Sequence, residues 1–329
     1  MQYTHLTEEE RYHIDELLRA GYIQSEIAKA LGRSAPTISR ELSRNKGKRG
    51  WRPHQADTKA KERLTSRGAN NVHRVSELSW AYVIEKLTEE QWSPEQIAGR
   101  MKLEGVEAMS QETIYQRILS DKDSGGTLYR HLRCKKQRKK RYGSKDAGRG
   151  CIPNRVDIEK RPAIVDSRRR VGDWEGDTII GSHKGGAVIA SMVERKSRLT
   201  VLAKSPDKTT KSVIGGIIEK IKTVKELIET ITFDNGKEFS SHVKLTNRFG
   251  ADIYFARPYH SWERGLNENT NGLVRQYFPK RVPFDNVDEQ EIQNVADKLN
   301  SRPRKCLGYK TPYEVFKKLA EKRGVALRI

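Results

Sequence analysis

No stretch of this 329-residue chain approaches the run of roughly 20 apolar residues that a membrane-spanning helix needs, so no such helix is expected. Cysteine is scarce. Cys134, Cys151 and Cys306 lie far apart, so neither a disulfide framework nor a Cys-x-x-Cys metal site is written into the chain, and structural thiols of a cytoplasmic protein are the expectation. The opening Met1-Gln2-Tyr3-Thr4-His5 has neither the basic nor the apolar region of a secretion signal. Acid is in deficit: 43 Asp and Glu face 64 Lys and Arg, a formal net charge of +21. An excess of that size points to an acidic polymer, nucleic acid before an anionic membrane surface. Hydrophobic residues make up 35%, enough for small cores, and the length calls for two or three domains.

What is present begins with helices. Thr7-Glu8-Glu9-Glu10 has the form of a capping box, Ile14, Leu17 and Leu18 recur at helical spacing, and Gly21 ends the element. A second helix covers Ser25 to Leu31, and Gly32-Arg33-Ser34 makes a short turn. Ser34 and Pro36 then open a third helix, on which Ile38 and Leu42 face inward. Ala28, Gly32 and Ile38 have the spacing of a helix-turn-helix unit, in which the small residue lets the helices approach and the glycine permits the turn. On the third helix, Thr37, Arg40 and Arg44 are the candidate DNA contacts. The unit has an echo. Ser34-Ala-Pro-Thr37-Ile38 is matched by Ser110-Gln-Glu-Thr113-Ile114, and Glu26-Ile27-Ala28 by Gln96-Ile97-Ala98. Residues 93–119 therefore read as a second helix-turn-helix, with a longer turn around Gly105. Its recognition helix is less basic, and packing on protein is the alternative to reading DNA.

Basic stretches punctuate the chain. Residues 47–75 contain Lys59, Lys61 and Arg63 on an expected helix, and Arg133 to Arg149 holds nine Lys/Arg against the single acid Asp146. After Gly150 the texture turns to short β-rich runs: Trp174–Ile180, Ala187–Val193, Leu199–Ala203, Ile231–Phe233 and Asp252–Phe255. Helices are expected near 209–222 and 242–249. The expected division is a helix-turn-helix domain at 1–46, a basic linker at 47–75, and a second helix-turn-helix at 76–132. A second basic linker at 133–165 and an α/β core with C-terminal helices at 166–329 complete it. The fold class is thus multidomain, with all-α helix-turn-helix modules ahead of an α/β ribonuclease-H-like core built on a mixed sheet.

Acids in this second half stand where a core would not ordinarily place them. In Gly172-Asp173-Trp174-Glu175-Gly176-Asp177, the three acids share one face of a strand, where they repel one another unless a cation neutralises them. Ile231-Thr-Phe-Asp234-Asn-Gly236 is an apolar strand running out into an acid, at the strand end where α/β folds place ligand chemistry. Glu263-Arg264-Gly265-Leu266-Asn267-Glu268 stands at the start of an expected helix. Carboxylates from a strand, a strand end and a helix suit hard divalent cations such as Mg²⁺, which take phosphate oxygens as further ligands and promote phosphodiester chemistry. The strand pattern alone does not choose among Asp173, Glu175 and Asp177.

The chain resembles the insertion-sequence-thirty family of bacterial transposases, relatives of retroviral integrases. The resemblance is carried by Trp174-Glu-Gly-Asp177, Phe233-Asp-Asn-Gly-Lys-Glu-Phe239 and Pro258-Tyr-His-Ser-Trp-Glu-Arg-Gly-Leu-Asn-Glu268, with Leu307-Gly-Tyr-Lys-Thr-Pro312 beyond. It implies an Asp-Asp-Glu triad of Asp177, Asp234 and Glu268, the last two separated by 33 residues, holding Mg²⁺ with Mn²⁺ as a substitute. It also implies that Asn267 and Arg275 contact DNA near the site. The function implied is binding of the terminal inverted repeats of an insertion sequence, followed by metal-dependent strand cleavage and transfer to target DNA. The protein is expected to act as a homodimer or larger assembly on DNA, in the bacterial cytoplasm with the nucleoid. The His/Cys zinc module of retroviral integrases is missing, and the helix-turn-helix pair stands in its place. Alternatives are a repressor derived from such an enzyme and a recombinase with a Tyr or Ser nucleophile, although no Arg-rich setting surrounds any of the twelve tyrosines.

Overall fold

The computed structural model describes residues 5–72, 75–132, 152–182, 186–257, 260–280 and 282–325. The chain divides into two compact units, residues 1–77 and 78–329. Among the described residues no helix is long and apolar enough to cross a membrane.

The first unit contains α1 (Glu8–Arg19), α2 (Gln24–Ala30), α3 (Ala35–Arg44) and α4 (Pro53–Val72). The capping box forms as expected: the Glu10 amide donates to Thr7 Oγ1 at 3.2 Å, and the Thr7 amide donates to the Glu10 carboxylate at 2.8 Å. Gly32 takes φ +60°, the left-handed turn between α2 and α3 that costs glycine least. Leu6, Ile14, Ile27, Ala28 and Ile38 form the core. One polar tie has no counterpart in the periodic pattern. Arg11 is 4% exposed and donates to Glu41 of α3 at 2.8 Å and to Asp57 of α4 at 2.9 Å. Its five-donor fork thereby joins three helices. The 47–75 stretch, expected as a basic linker, is thus mostly α4, with Ala56 fully buried.

The second unit opens with α5 (Glu77–Thr88), α6 (Pro94–Glu104) and α7 (Gln111–Asp123). After the short α8 (Ile164–Ser167) come β1 (Asp173–Ile180), β2 (Val188–Glu194), β3 (Thr200–Ser205), α9 (Thr210–Ile221), β4 (Thr230–Phe233), α10 (Val243–Phe249), β5 (Asp252–Phe255), α11 (Gly265–Val274), α12 (Glu289–Asn300) and α13 (Pro312–Lys322). The sheet runs β3-β2-β1-β4-β5. The β1–β2 and β2–β3 pairs are antiparallel, and the β1–β4 and β4–β5 pairs are parallel. This is the expected mixed sheet, and all five strands fall where the apolar runs placed them. The fold thus has helical modules ahead of a mixed α/β core, as expected.

Alternation in β1 sorts two cores. Trp174 joins Ile231, Phe233, Val213, Ile217 and Phe316 on one face. Ile179 joins Ile189, Leu202, Leu273, Val274 and Leu299 on the other. Asp173, Glu175 and Asp177 share the face of Ile179, toward α11. Gly176 faces the first core, where a Cβ would lie 2.2 Å from the Phe233 ring, so no larger residue fits there. Residues 152–165, expected as the end of a linker, lie against the core instead. Ile152 is buried in it, and the Phe255 amide donates to the Val156 carbonyl at 2.9 Å. The basic run 133–149 is outside the described residues.

Candidate active site

The three acids of β1 are handled differently. Asp173 is fully buried and accepts from Arg170 at 2.8 Å and from Thr230 Oγ1 at 2.8 Å. Glu175 is 1% exposed, and its carboxylate takes the Arg195 guanidinium at 2.6 Å on one oxygen. On the other oxygen it takes the Asn267 amide at 3.2 Å, in the first turn of α11. The cation expected to relieve like-charge repulsion is thus an arginine at each of these two positions.

Asp177 is set up otherwise. It lies beside Asp234, which follows the end of β4, the parallel neighbour of β1. The Arg264 guanidinium reaches both, at 3.6 Å from Asp177 Oδ2 and 3.6 Å from Asp234 Oδ2. It also donates to the Gly176 carbonyl at 3.1 Å, while its Nε is buried without a hydrogen-bond partner. Asn271 of α11 donates to Asp177 Oδ2 at 2.9 Å and is itself held by the Ser191 hydroxyl at 2.8 Å. The Gly236 amide donates to Asp234 Oδ1 at 2.9 Å, which fixes the Asp-Asn-Gly turn. Burial pushes the Asp177 carboxyl up to about 6. Arg264 pulls it back, while Asp234 and Glu238 add repulsion. Glu238 is buried between Thr178 Oγ1 at 2.7 Å and Lys208 at 3.0 Å.

Glu268 is exposed, in the first turn of α11. It stands three residues before Asn271, and side chains three apart share a helix face, so it lies on the side from which α11 reaches Asp177. It lines a cavity of about 680 Å³ with Thr178, Asn269, Arg275 and Lys280. The structure brings Asp177 and Asp234 together around one cation and leaves Glu268 outside that pair. Among the described residues no three His, Cys, Asp or Glu side chains are gathered as a metal-binding group.

The expected DNA contacts divide as well. Arg40 and Arg44 are exposed on α3 and, with Thr37, line a cavity of about 330 Å³. The Thr37 hydroxyl is engaged by Ser34 at 2.8 Å. Arg275 donates to the Ile180 carbonyl at 2.6 Å and lies over the Phe284 ring, at the rim of the Glu268 cavity. Asn267 departs from the expectation. It is 1% exposed with its side-chain amide enclosed and unpartnered, so it offers no surface to a DNA strand, and its backbone instead anchors α11 on Glu175. Arg264, Asn271 and Glu238 were missed as site residues. The sign available in the sequence was a lone arginine four residues before Glu268, inside the quoted motif, and an asparagine three after it, just beyond.

A helical reader module and a mixed α/β core with one aspartate on a central strand and a second just past the end of its parallel neighbour is the make-up of a DNA-transposing enzyme. Residues 2–45 match the family described as a helix-turn-helix domain, and residues 168–261 match the integrase core domain. The chain is 43% identical over 324 residues to the transposase for insertion sequence element IS4351 of Bacteroides fragilis, covering 98% of each. It is 37% identical to the transposase InsI for IS30A of Escherichia coli K12, covering 98% of this chain and 85% of that one. The catalytic core domain of BIV integrase superposes at a TM-score of 0.36 with 20% identity, over 47% of this chain and 99% of that one. The chain belongs to the IS30 family of insertion-sequence transposases.

Proposed function

We propose that the protein binds the terminal inverted repeats of an insertion sequence, cleaves DNA there and joins the freed ends to target DNA, with Asp177, Asp234 and Glu268 as the metal-holding triad. One observation carries the assignment of Asp177. Asp173 and Glu175 are each held by an arginine at 2.8 Å or less, whereas Asp177 and Asp234 share one guanidinium at 3.6 Å. A donor set of two carboxylates already bracketing a cation fits a hard divalent ion, Mg²⁺ or its substitute Mn²⁺, and Glu268 supplies the third oxygen donor from α11. Such an ion supplies a Lewis acid for the attacking and leaving oxygens of phosphodiester exchange.

The chain's own residues do the positioning. Asn271 and the Thr178 amide orient the Asp177 carboxylate, and the Gly236 amide orients that of Asp234. Glu175 pins the start of the helix that carries Glu268. Arg275 and Lys280 line the cavity beside Glu268 and supply positive charge for DNA phosphates. Two element ends must be held together, so the active species is a homodimer or larger assembly.

Glu268→Gln keeps the shape and removes the charge. Purified variant should bind element-end DNA within about twofold of the unaltered protein, with cleavage and joining in Mg²⁺ at background. Retained Mg²⁺-dependent cleavage would remove Glu268 from the triad. Specific binding without cleavage by the unaltered protein, in either metal, would return the reading to a repressor.

A further inference from the structure

The module α5–α7 repeats the first helix-turn-helix in detail. Ser34 and Thr37 at the start of α3 join their hydroxyls at 2.8 Å, and Ser110 and Thr113 at the start of α7 do the same at 2.9 Å. Ile27 and Ile38 are fully buried in the first, and Ile97 and Ile114 in the second. The copies differ in what α6 does with its other side. Arg100 makes a two-pronged bridge to Glu314 of α13, at 2.8 and 2.7 Å, and is braced by Glu104 at 2.6 Å. Glu95 takes Lys305 at 2.6 Å. Between these bridges Tyr309 lies flat on Gly99, so closely that a Cβ there would be 2.2 Å from its ring. Tyr309 is presented at φ +62°, a backbone strain that a side chain carries only when its surroundings hold it. The turn that presents it is tied by the Tyr309 amide to the Arg304 carbonyl at 2.9 Å.

The attachment leads to the catalytic strand. Two residues beyond Glu314, Phe316 is fully buried and meets Trp174 edge to face at 6.2 Å. Trp174 stands three residues before Asp177 on β1. Meanwhile Gln111, Tyr115 and Gln116 of α7 remain exposed. The helix that would enter a DNA groove is therefore the one the clamp leaves free.

We propose that the second helix-turn-helix is a ruler: clamped to the core through α6 and α13, it holds duplex DNA lying on α7 at a set distance from Asp177 and Asp234, and so selects the phosphodiester bond that is cut. This rests on the proposed transposase activity, and it assigns Gly99, Arg100, Tyr309 and Glu314 as positioning residues that never touch DNA. The clamp has physical reach because a displacement of about 1 Å at a reacting bond can cost on the order of a hundredfold in rate.

The test locks and unlocks the clamp in the full-length protein. In a background with Cys134, Cys151 and Cys306 changed to Ser, Glu95→Cys with Lys305→Cys is joined by a short bismaleimide. Cut positions on labelled element-end DNA are then mapped at nucleotide resolution. The cross-linked protein should cut at the same bond as the unaltered protein, within about threefold of its rate, because a ruler need not move. Arg100→Glu, which sets a third carboxylate against Glu104 and Glu314, should scatter the cuts over neighbouring bonds and lower cutting at the authentic one roughly tenfold. Its melting temperature and binding by the first module should stay near those of the unaltered protein, and Lys305→Glu should repeat the scatter more mildly. Cross-linked protein that is inactive while its uncoupled parent is active overturns the proposal, as does Arg100→Glu cutting only at the authentic bond. Failure of the pair to cross-link overturns the clamp itself. Failure of the transposase reading looks different: the cross-link forms, and no form of the protein cuts DNA in any metal.

Discussion

Replacing Arg264 with Gln tests whether the paired aspartates are built for a cation that exchanges. The guanidinium stands 3.6 Å from each of two carboxylates that otherwise face one another. At an effective dielectric of about 20, each contact is worth about 4.6 kcal/mol before desolvation is counted, and removing one partner of a buried pair costs about 3–5 kcal/mol. Two features reduce that cost. The Asp234 side chain is 37% exposed, so water screens part of the repulsion. Asp177 already sits at about 6 and, without Arg264, takes up a proton near neutral pH rather than remain charged. A loss of about 2–3 kcal/mol in EDTA is expected, which for a unit of this size lowers the melting temperature by roughly 4–10 °C. Mg²⁺ should then raise the melting temperature more in Arg264→Gln than in the unaltered protein, because the ion no longer competes with a resident guanidinium. Titration calorimetry should show the variant binding Mg²⁺ about tenfold more tightly, a difference of about 1.4 kcal/mol. Equal melting temperatures in EDTA together with equal responses to Mg²⁺ would refute the reasoning, since the arginine would then be neutralising nothing.

Other outcomes follow from the same geometry. Mg²⁺ affinity should rise as pH climbs through about 6, where Asp177 loses its proton, and level off above; Asp177→Asn should remove that dependence. In the metal-free protein the same raised carboxyl subtracts stability, an effect absent below its ordinary value of 3.8 and complete above about 6, so calorimetry should show Asp177→Asn gaining most over the unaltered protein at neutral pH. Gly176→Ala should destabilise by about 1–3 kcal/mol in denaturant melts, because the added methyl meets Phe233 and Met192 in a closed core. Arg40→Ala should cost about 1–3 kcal/mol with relaxed sequence preference if it reads a base, or weaken all DNA uniformly with a shallower salt slope if it holds a phosphate; unchanged binding would exclude α3 as a reader.

The elements that were legible in the sequence are those specified by near neighbours. The Thr7 box, the turn at Gly32 and the five strands depend on residues a few positions apart, where spacing alone states the geometry. The place of Asp234 directly after β4 was legible for the same reason, an acid closing an apolar run. The missed features are pairings over distance. Arg11 meets Asp57 from 46 residues away, and Arg100 meets Glu314 from 214 away. Periodicity carries no trace of such partners, so the helix expected inside 47–75 read as part of a linker, and the partner on which α6 docks was not named. The DNA contact expected of Asn267 came from the resemblance, and no local spacing showed that the fold turns it under Glu175.

The division among the acids of β1 explains why a strand argument could not choose between them. All three occupy one face, and each carries a charge that the fold must compensate. At 173 and 175 the compensation is permanent: both side chains are enclosed, and each has a guanidinium within 2.8 Å. Exchanging that partner for a hydrated ion would require opening the central strand where it begins or unseating α11. At 177 the contact is looser, the Asp177 side chain is 19% exposed, and the arginine is shared with a second carboxylate that reaches solvent. A long, lightly held, shared contact near the surface is the one an incoming cation can replace without disturbing the core. Position along the strand therefore sets the chemistry through depth. The acids nearer the start of β1 fasten the fold, and the last, toward the strand's carboxyl end, is the one that the proposed metal site calls on for exchange.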